Sequence, residues 1–368
     1  MFAERLDRAR KLMTEQSVDT LLLSVGADLP YFCGYEAMSS ERLTMLVVPR
    51  DDAATLVVPE LEAPRVVERS DVFSIRPWGE TEDPVALVAE LAGQVEVAGV
   101  GDQTWARFVV DLVACMPATT FQRASNVTGP IRSIKEPAEI EMLRNAGAAV
   151  DRIAGRLQSG EIELAGRTEA AVSAELGRQI IAEGHRRVNF AIVAAGANAA
   201  SPHHGAGERV IQPGEGVLCD FGGTWMDENG VGYCSDITRC VWLGQPPQEF
   251  AELYDVLHEA QVASVAAATI GTPAEEVDRV GRAVISSAGM GEYFIHRTGH
   301  GIGVEAHEDP YIVEGNETPL VAGNAFSIEP GIYVPGRWGA RLEDIVVAAD
   351  AGPDSMNRVD HGLAIIDL

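Results

Sequence analysis

Short apolar runs alternate with amphipathic stretches along the first third of the chain. Residues 19–25 (DTLLLSV), 43–49 (LTMLVVP) and 54–59 (ATLVVP) are dense in Leu and Val, and two of them end on Pro, so they predict strands. Two further strand-like runs, 72–75 and 95–100, each follow a helix-like stretch. The pattern predicts an α/β domain with a mixed sheet over residues 1–128. The stretch GVGDQ at 99–103 lacks the GxGxxG spacing of a dinucleotide-binding turn. Turn-forming residues cluster at 125–136, and this predicts a boundary there. Beyond Pro137 the apolar positions Ile140, Leu143, Val150, Ile153 and Leu157 keep helical spacing. A second helix is expected at 168–183 with Thr168 as its cap. Strands follow at 190–194, 216–222 and 236–243, helices at 247–269 and 273–288, and strands again at 325–334 and 340–348. These elements predict an α+β domain over 129–368. No repeat of 20–50 residues is visible, which excludes solenoids and propellers.

The 368-residue length agrees with two domains at about 150 residues each. No apolar run approaches the ~18 residues a membrane helix needs. The opening residues 1–16 are charged throughout, unlike a secretory signal. Against 28 Lys and Arg stand 55 Asp and Glu, a net charge of -27. A field of that sign repels phosphates, so nucleic acid and anionic membranes are not expected partners. It does not oppose divalent cations. The five cysteines are an odd number without CxxC spacing, which points to reduced thiols in a cytoplasm.

Carboxylates stand inside apolar strands where packing would not put them. Asp220 lies in Val-Leu-Cys-Asp-Phe, Asp236 opens an Ile-Thr-Arg-Cys-Val-Trp run, Glu329 follows Ala-Phe-Ser-Ile, and Glu343 interrupts Ala-Arg-Leu-Glu-Asp-Ile-Val-Val. A carboxylate buried alone costs several kcal/mol or takes up a proton, so such residues need cations or donors. Three histidines share one glycine-rich segment, His296, His300 and His307. Glycines at 299, 301 and 303 argue against a helix there, and suggest close approach of the backbone to a ligand or metal. His203 and His204 fall on a loop after a strand, a usual place for reactive residues. Four carboxylates and an imidazole form an oxygen-dominated donor set suited to manganese(II), with cobalt(II), iron(II) or zinc(II) as alternatives. Two divalent ions would balance four carboxylates, and a pair ~3.5–4 Å apart is a hydrolytic arrangement.

The stretches Leu218-Cys-Asp-Phe-Gly-Gly, Ser235-Asp-Ile-Thr-Arg, His296-Arg-Thr-Gly-His-Gly-Ile-Gly, Ser327-Ile-Glu-Pro-Gly-Ile-Tyr and Gly339-Ala-Arg-Leu-Glu-Asp resemble the pita-bread metallopeptidases. They occur in that family's order over about 230 residues. The N-terminal α/β part, with Arg132, Lys135 and Glu139-Ile140, resembles the prolidase and aminopeptidase P branch. The resemblance implies a creatinase/prolidase-type N-terminal domain and a pita-bread catalytic domain. It implies that Asp220, Asp236, His300, Glu329 and Glu343 hold two metal ions. It implies catalytic roles for His203, His307 and Glu329, with His204 the weaker of its pair. His296 and Tyr333 would line the substrate pocket, and Arg341 would contact substrate or buttress the carboxylates. The gap from Asp220 to Asp236 is longer than the family's, and the extra residues fall in 225–232, whose Asp-Glu-Asn-Gly suits a hairpin turn.

Hydrolysis of Xaa-Pro dipeptides is the activity this resemblance implies, in a cytoplasmic homodimer whose loop 34–42 reaches the partner's site. Aminopeptidase P, acting on longer peptides with proline second, is the nearest alternative. A pita-bread hydrolase of non-peptide amides, such as an ectoine-type enzyme, is another. A binding-only module is disfavoured, because such relatives have lost the ligand residues that this chain keeps.

Overall fold

The computed structural model describes residues 1–367. They divide into two compact units, Met1–Arg132 with Asp227–Gly232, and Ser133–Met226 with the residues from Tyr233 onward.

The first unit is built on a six-stranded sheet. Its order is Phe73–Trp78, Ala54–Pro59, Met45–Pro49, Thr20–Leu23, Val97–Val100, Thr120–Arg123. The two pairings that flank Met45–Pro49 are antiparallel and the other three are parallel, so the sheet is mixed, as the alternation of runs predicts. Leu22, Met45, Val47, Val57, Val88 and Leu112 form its buried core. The sequence pattern misses the last strand, Thr120–Arg123, which is short and half-exposed. It also reads turns at 125–136, where the structure has a helix, Ser125–Arg132, with Pro130 inside it. Tertiary contacts override the local composition there. Thr128 and Arg132 both donate to the buried Asp28 carboxylate, at 2.9 and 2.8 Å, and Val127 and Ile131 face the core.

Helix Pro137–Gln158 opens the second unit. Proline occupies its first turn, where no N–H is needed, and Glu136 with Glu139 forms a capping box. Leu143, Val150, Ile153 and Leu157 are buried along one stripe. Helix Glu169–Ala182 is capped by Thr168, whose side chain accepts from Ala171 N. Four strands order as Ala364–Ile366, Ile237–Leu243, Gly216–Met226 and Arg187–Ala195, with Gly232–Cys234 paired to Gly216–Met226. The residues between Asp220 and Asp236 form a hairpin. At its tip the Asp227 carboxylate accepts from Asn229 N and Val231 N, both at 2.8 Å, and Gly230 takes a φ of 87°.

A second sheet runs Glu308–Ile312, Gly299–Gly301, Ala325–Ile328, Asp344–Val347, Asp354–Ser355, antiparallel throughout. Gly331–Val334 and Trp338–Arg341 form a separate two-stranded ribbon. The run 325–334 is therefore two strands broken at Glu329-Pro330, and 340–348 is two strands broken at Leu342-Glu343. Helices Gln248–Ala267 and Ala274–Ser287 complete the α+β unit.

Candidate metal centre and active-site cavity

Asp220 stands mid-strand, opposite Thr238 on one neighbour and Ile192 on the other. Thr238 in turn bridges to Glu343. Backbone pairing thus sets Asp220, Thr238 and Glu343 in a row, and Asp236 enters from the start of the strand that carries Thr238. His300 comes from the second sheet, between two glycines. A Cβ on Gly299 would collide with the Ser327 carbonyl, and one on Gly301 with that of Asp309. These glycines serve strand packing, a correction to the expectation that they admit a ligand. Glu329 is placed by its own N–H, which donates to Thr298 O at 2.8 Å, just where the strand Ala325–Ile328 ends.

Together these residues border a cavity of about 420 Å³. Its wall includes Asp220, Asp236, His300, Glu329 and Glu343, with His203, His296, His307 and Arg341. Asp236, His300 and Glu343 are all buried, and one donor atom from each lies within 4.8 Å of the others. His300 Nδ1 donates to Gly301 O at 3.1 Å. Its Nε2 faces Glu329 Oε1 at 3.2 Å and Asp236 Oδ2 at 4.0 Å. That nitrogen can donate a proton to the carboxylates or give its lone pair to a cation they share. Ser327 Oγ accepts from His300 N and donates to Glu329 Oε1, both at 3.0 Å, so one hydroxyl fixes both.

The donor set fits divalent cations. Asp220 Oδ1 and Asp236 Oδ1 are buried and find no hydrogen-bond partner among the described residues. Burial, then the charges of Glu343, Asp220 and Glu329, push the Asp236 carboxyl well above the usual carboxylate range. Burial and the charges of Glu329 and Asp220 push Glu343 the same way. Such a cluster must take up protons or cations. Burial would also raise Glu329, but the hydrogen bond and charge of His300 bring it down to about 2.

Arg341 is the cation the chain itself supplies. Its guanidinium donates to Asp220 Oδ2, to Thr238 Oγ1 at 3.1 Å, to Tyr333 Oη at 2.8 Å and to Pro202 O at 3.3 Å. Thr238 Oγ1 then donates to Glu343 Oε2 at 2.7 Å. The Tyr333 hydroxyl, already accepting from Arg341, donates to His296 Nε2 at 2.8 Å, and His296 Nδ1 donates to Arg297 O at 2.7 Å. This order of donors requires a neutral His296, and burial lowers its pKa accordingly. His296 therefore presents its ring to the cavity and keeps both nitrogens engaged. Tyr333 is only 2% exposed and stands behind that ring.

His307 stacks near His300, with ring centroids 3.8 Å apart. Burial, then the charges of His300 and Arg297, lower its pKa to about 4. Arg297 Nη2 lies 3.5 Å from His307 Nδ1, a long contact that favours the tautomer with the proton on Nε2. His203 is exposed on the cavity wall, whereas His204 turns into the protein and meets Glu169 Oε2 at 2.8 Å.

Sequence reasoning did not single out Phe190, Ile192, Pro202 or Arg297 as wall residues, nor Thr238 and Ser327 behind the carboxylates. Phe190 and Ile192 carry a readable signal, since alternate residues of one strand share a face. The roles of Thr238 and Ser327 depend on which strands pair, which the sequence does not display.

Residues 141–350 match metallopeptidase family M24, and residues 5–134 match the creatinase/prolidase N-terminal domain. The chain belongs to metallopeptidase family M24, with the α/β N-terminal domain of the creatinase/prolidase type and the α+β pita-bread catalytic domain. It is 37% identical over 377 residues to the Xaa-Pro dipeptidase of Lactobacillus helveticus, with 99% of each chain covered. The solved structure of dipeptidase PepE from Mycobacterium ulcerans is 41% identical, covers 100% of this chain and 98% of its own, and gives a TM-score of 0.92. A recombinant prolidase from Thermococcus sibiricus, 31% identical, also gives 0.92, with 100% and 99% covered. As a metallopeptidase of this family the protein uses divalent metal ions.

Proposed function

We propose that this protein hydrolyses the peptide bond before proline in dipeptides with a free amino end. The observation that carries the reading is the single cavity uniting Asp220, Asp236, His300, Glu329 and Glu343 with three further histidines. Asp220, Asp236, His300, Glu329 and Glu343 would hold two divalent ions, manganese(II) first among the candidates. Bound there, such ions supply Lewis acidity and lower the pKa of water towards ~7.

The chain's residues do the rest. Glu329 accepts the proton released from the attacking water and passes it to the departing proline nitrogen. His307, neutral above about pH 4, offers its Nε2–H to the developing oxyanion, a contribution often worth about 3 kcal/mol. Water is consumed, and free Xaa and proline are the products. Phe190, Ile192 and Pro202 give the cavity an apolar side on which a proline ring can rest. Proline lacks an N–H, so such a wall leaves no donor unpaired.

Arg297 favours a dipeptide. It is a half-buried guanidinium on the cavity wall, held over the Tyr311 ring at 4.4 Å, where a C-terminal carboxylate could meet it. The wider reading is a cytoplasmic homodimer, in which the five unpaired thiols suit the reducing compartment. Sedimentation with full activity as a monomer would remove the dimer from it. The deciding assay is proline release from Ala-Pro by manganese-loaded protein, with Ala-Pro-Ala and a chelator control beside it. Chelator-sensitive cleavage of Ala-Pro with little attack on Ala-Pro-Ala supports the reading. Preference for the tripeptide would make the enzyme an aminopeptidase P. Failure on both with metal bound would end the proline reading.

A further inference from the structure

The loop that carries His203 runs from the end of strand Arg187–Ala195, through the turn Gly196–Ala200, to Gly207. Most of the side-chain hydrogen bonds that fasten it converge on one carboxylate. Glu169, at the first turn of helix Glu169–Ala182, has a fully buried carboxylate. Its Oε1 accepts from Ala195 N and from Asn198 Nδ2, both at 2.9 Å. Its Oε2 accepts from His204 Nε2 at 2.8 Å and lies 3.5 Å from Gly207 N. The far end of the loop returns to the same helical turn, where Glu169 N donates to Arg209 O and Ala170 N to Gly207 O. Inside the loop, Pro202 O accepts from Arg341.

We infer that Glu169, through His204 and Asn198, is a positioning residue that holds the loop in the conformation presenting His203 to substrate. The two adjacent histidines then divide the work. His204 turns inward to the anchor, and in the turn Ser201–His204, closed by His204 N donating to Ser201 O at 3.1 Å, His203 faces the cavity. Glu169 touches neither the metal ligands nor the cavity, so its effect must pass through the loop. A hydrogen bond to a carboxylate is a strong fastening, and a buried carboxylate stripped of one donor is costly. The loop is thus more rigid than its exposure suggests, and a displacement of about 1 Å at a substrate-contacting group can cost as much as 100-fold in rate.

The inference concerns the same site as the proposed peptidase activity and rests on that reading for its kinetic arm. The test compares wild type, Glu169→Gln, His204→Ala, His204→Gln, His203→Ala and the Glu169→Gln/His203→Ala pair. Three quantities are measured: kcat/KM on Ala-Pro, manganese stoichiometry, and amide hydrogen exchange over residues 196–207. Glu169→Gln and His204→Ala are expected to lower kcat/KM on the order of tenfold, with manganese stoichiometry unchanged and faster exchange confined to 196–207. His204→Gln, whose amide can still donate to Glu169, should recover to within about threefold of wild type. In the His203→Ala background Glu169→Gln should cost less than about twofold, because the group it positions is gone. Additive losses in the double variant, metal loss parallel to activity loss, or unchanged exchange in the loop would each overturn the inference. If Glu169→Gln does not fold, His204→Ala and His204→Gln carry the test, since His204 lies on the loop. A wild-type protein inactive on Ala-Pro would sink the peptidase reading alone, and the exchange data would still decide whether Glu169 anchors the loop.

Discussion

At the scale of single residues, the cavity depends on hydroxyls that never face it. Thr238 donates to Glu343 and accepts from Arg341, so it fixes the carboxylate and relays the guanidinium's polarity. Thr238→Val keeps shape and removes both bonds. Groups that orient ligand carboxylates typically matter about 10- to 100-fold in metal affinity or activity. The variant is therefore expected to bind manganese on the order of tenfold more weakly and to melt at a lower temperature, because Arg341 Nε and the Glu343 carboxylate each lose a buried partner, as calorimetric titration and thermal unfolding would show. Unchanged affinity would mean that Glu343 is held by its backbone alone. Arg297→Ala is the matching substrate-side prediction. KM for Ala-Pro should rise roughly tenfold or more, consistent with loss of a charge-assisted contact worth about 1.5–3 kcal/mol, while KM for Ala-Pro-Ala moves little. An equal rise for both peptides would remove Arg297 from carboxylate recognition. The carboxylates were readable in the sequence because charge inside Val-Leu-Cys-Asp-Phe or Ala-Phe-Ser-Ile-Glu violates burial energetics. Thr238 and Ser327 were not, because a hydroxyl in a strand violates nothing.

Among the elements, the same contrast separates what periodicity reveals from what pairing decides. The helix Pro137–Gln158 announces itself through its apolar stripe and its proline start, and the strand Gly216–Met226 through its run of Val, Leu, Cys and Phe. The breaks after Ile328 and before Asp344 are less visible, yet they bring Glu329 and Glu343 to the cavity from strand ends. Helix Ser125–Arg132 was hidden by turn-rich composition, because the contacts that stabilise it reach across about a hundred residues to Asp28. Strand Gly299–Gly301 was hidden by its glycines. Those glycines allow sheet neighbours to approach closely on both sides of His300, so Gly301→Ala must push strands apart. A loss above about 3 kcal/mol is expected, in the range reserved for overpacked or strained core sites. Thermal and denaturant unfolding would show it, and a variant within about 0.5 kcal/mol of wild type would mean the strand can shift without cost.

For the whole molecule, the balance of protons and cations links stability to metal. In metal-free protein Asp236 and Glu343 have carboxyls raised well above the ordinary range by burial and by each other's neighbours. The folded state then holds protons that the unfolded chain, with carboxyl pKa values near ~4, has already released. Folding stability from these groups is complete below about pH 4 and is lost as pH rises through their raised values. Glu329 acts in the opposite sense. Lowered to about 2, it stabilises above the ordinary carboxylate range and loses that contribution only as pH falls towards 2. In chelator-treated protein the stabilising contribution of Asp236 and Glu343 should therefore fall as pH rises through their raised values, against the opposite trend of the many carboxylates whose pKa is lowered. The net charge of -27 pushes in the same direction as that fall, so the slope alone does not isolate the site. Metal titration does. Each cation that binds displaces protons held by Asp236 and Glu343, so manganese affinity should rise with pH and binding should release protons. Calorimetry in two buffers of different ionisation enthalpy measures that release directly. Asp236→Asn should reduce it and flatten the pH slope of the metal-free protein, because an amide has no proton to surrender. Binding without proton release near pH 6 would mean that the buried carboxylates are already ionised, and that the four negative charges are compensated within the chain rather than by the metal ions.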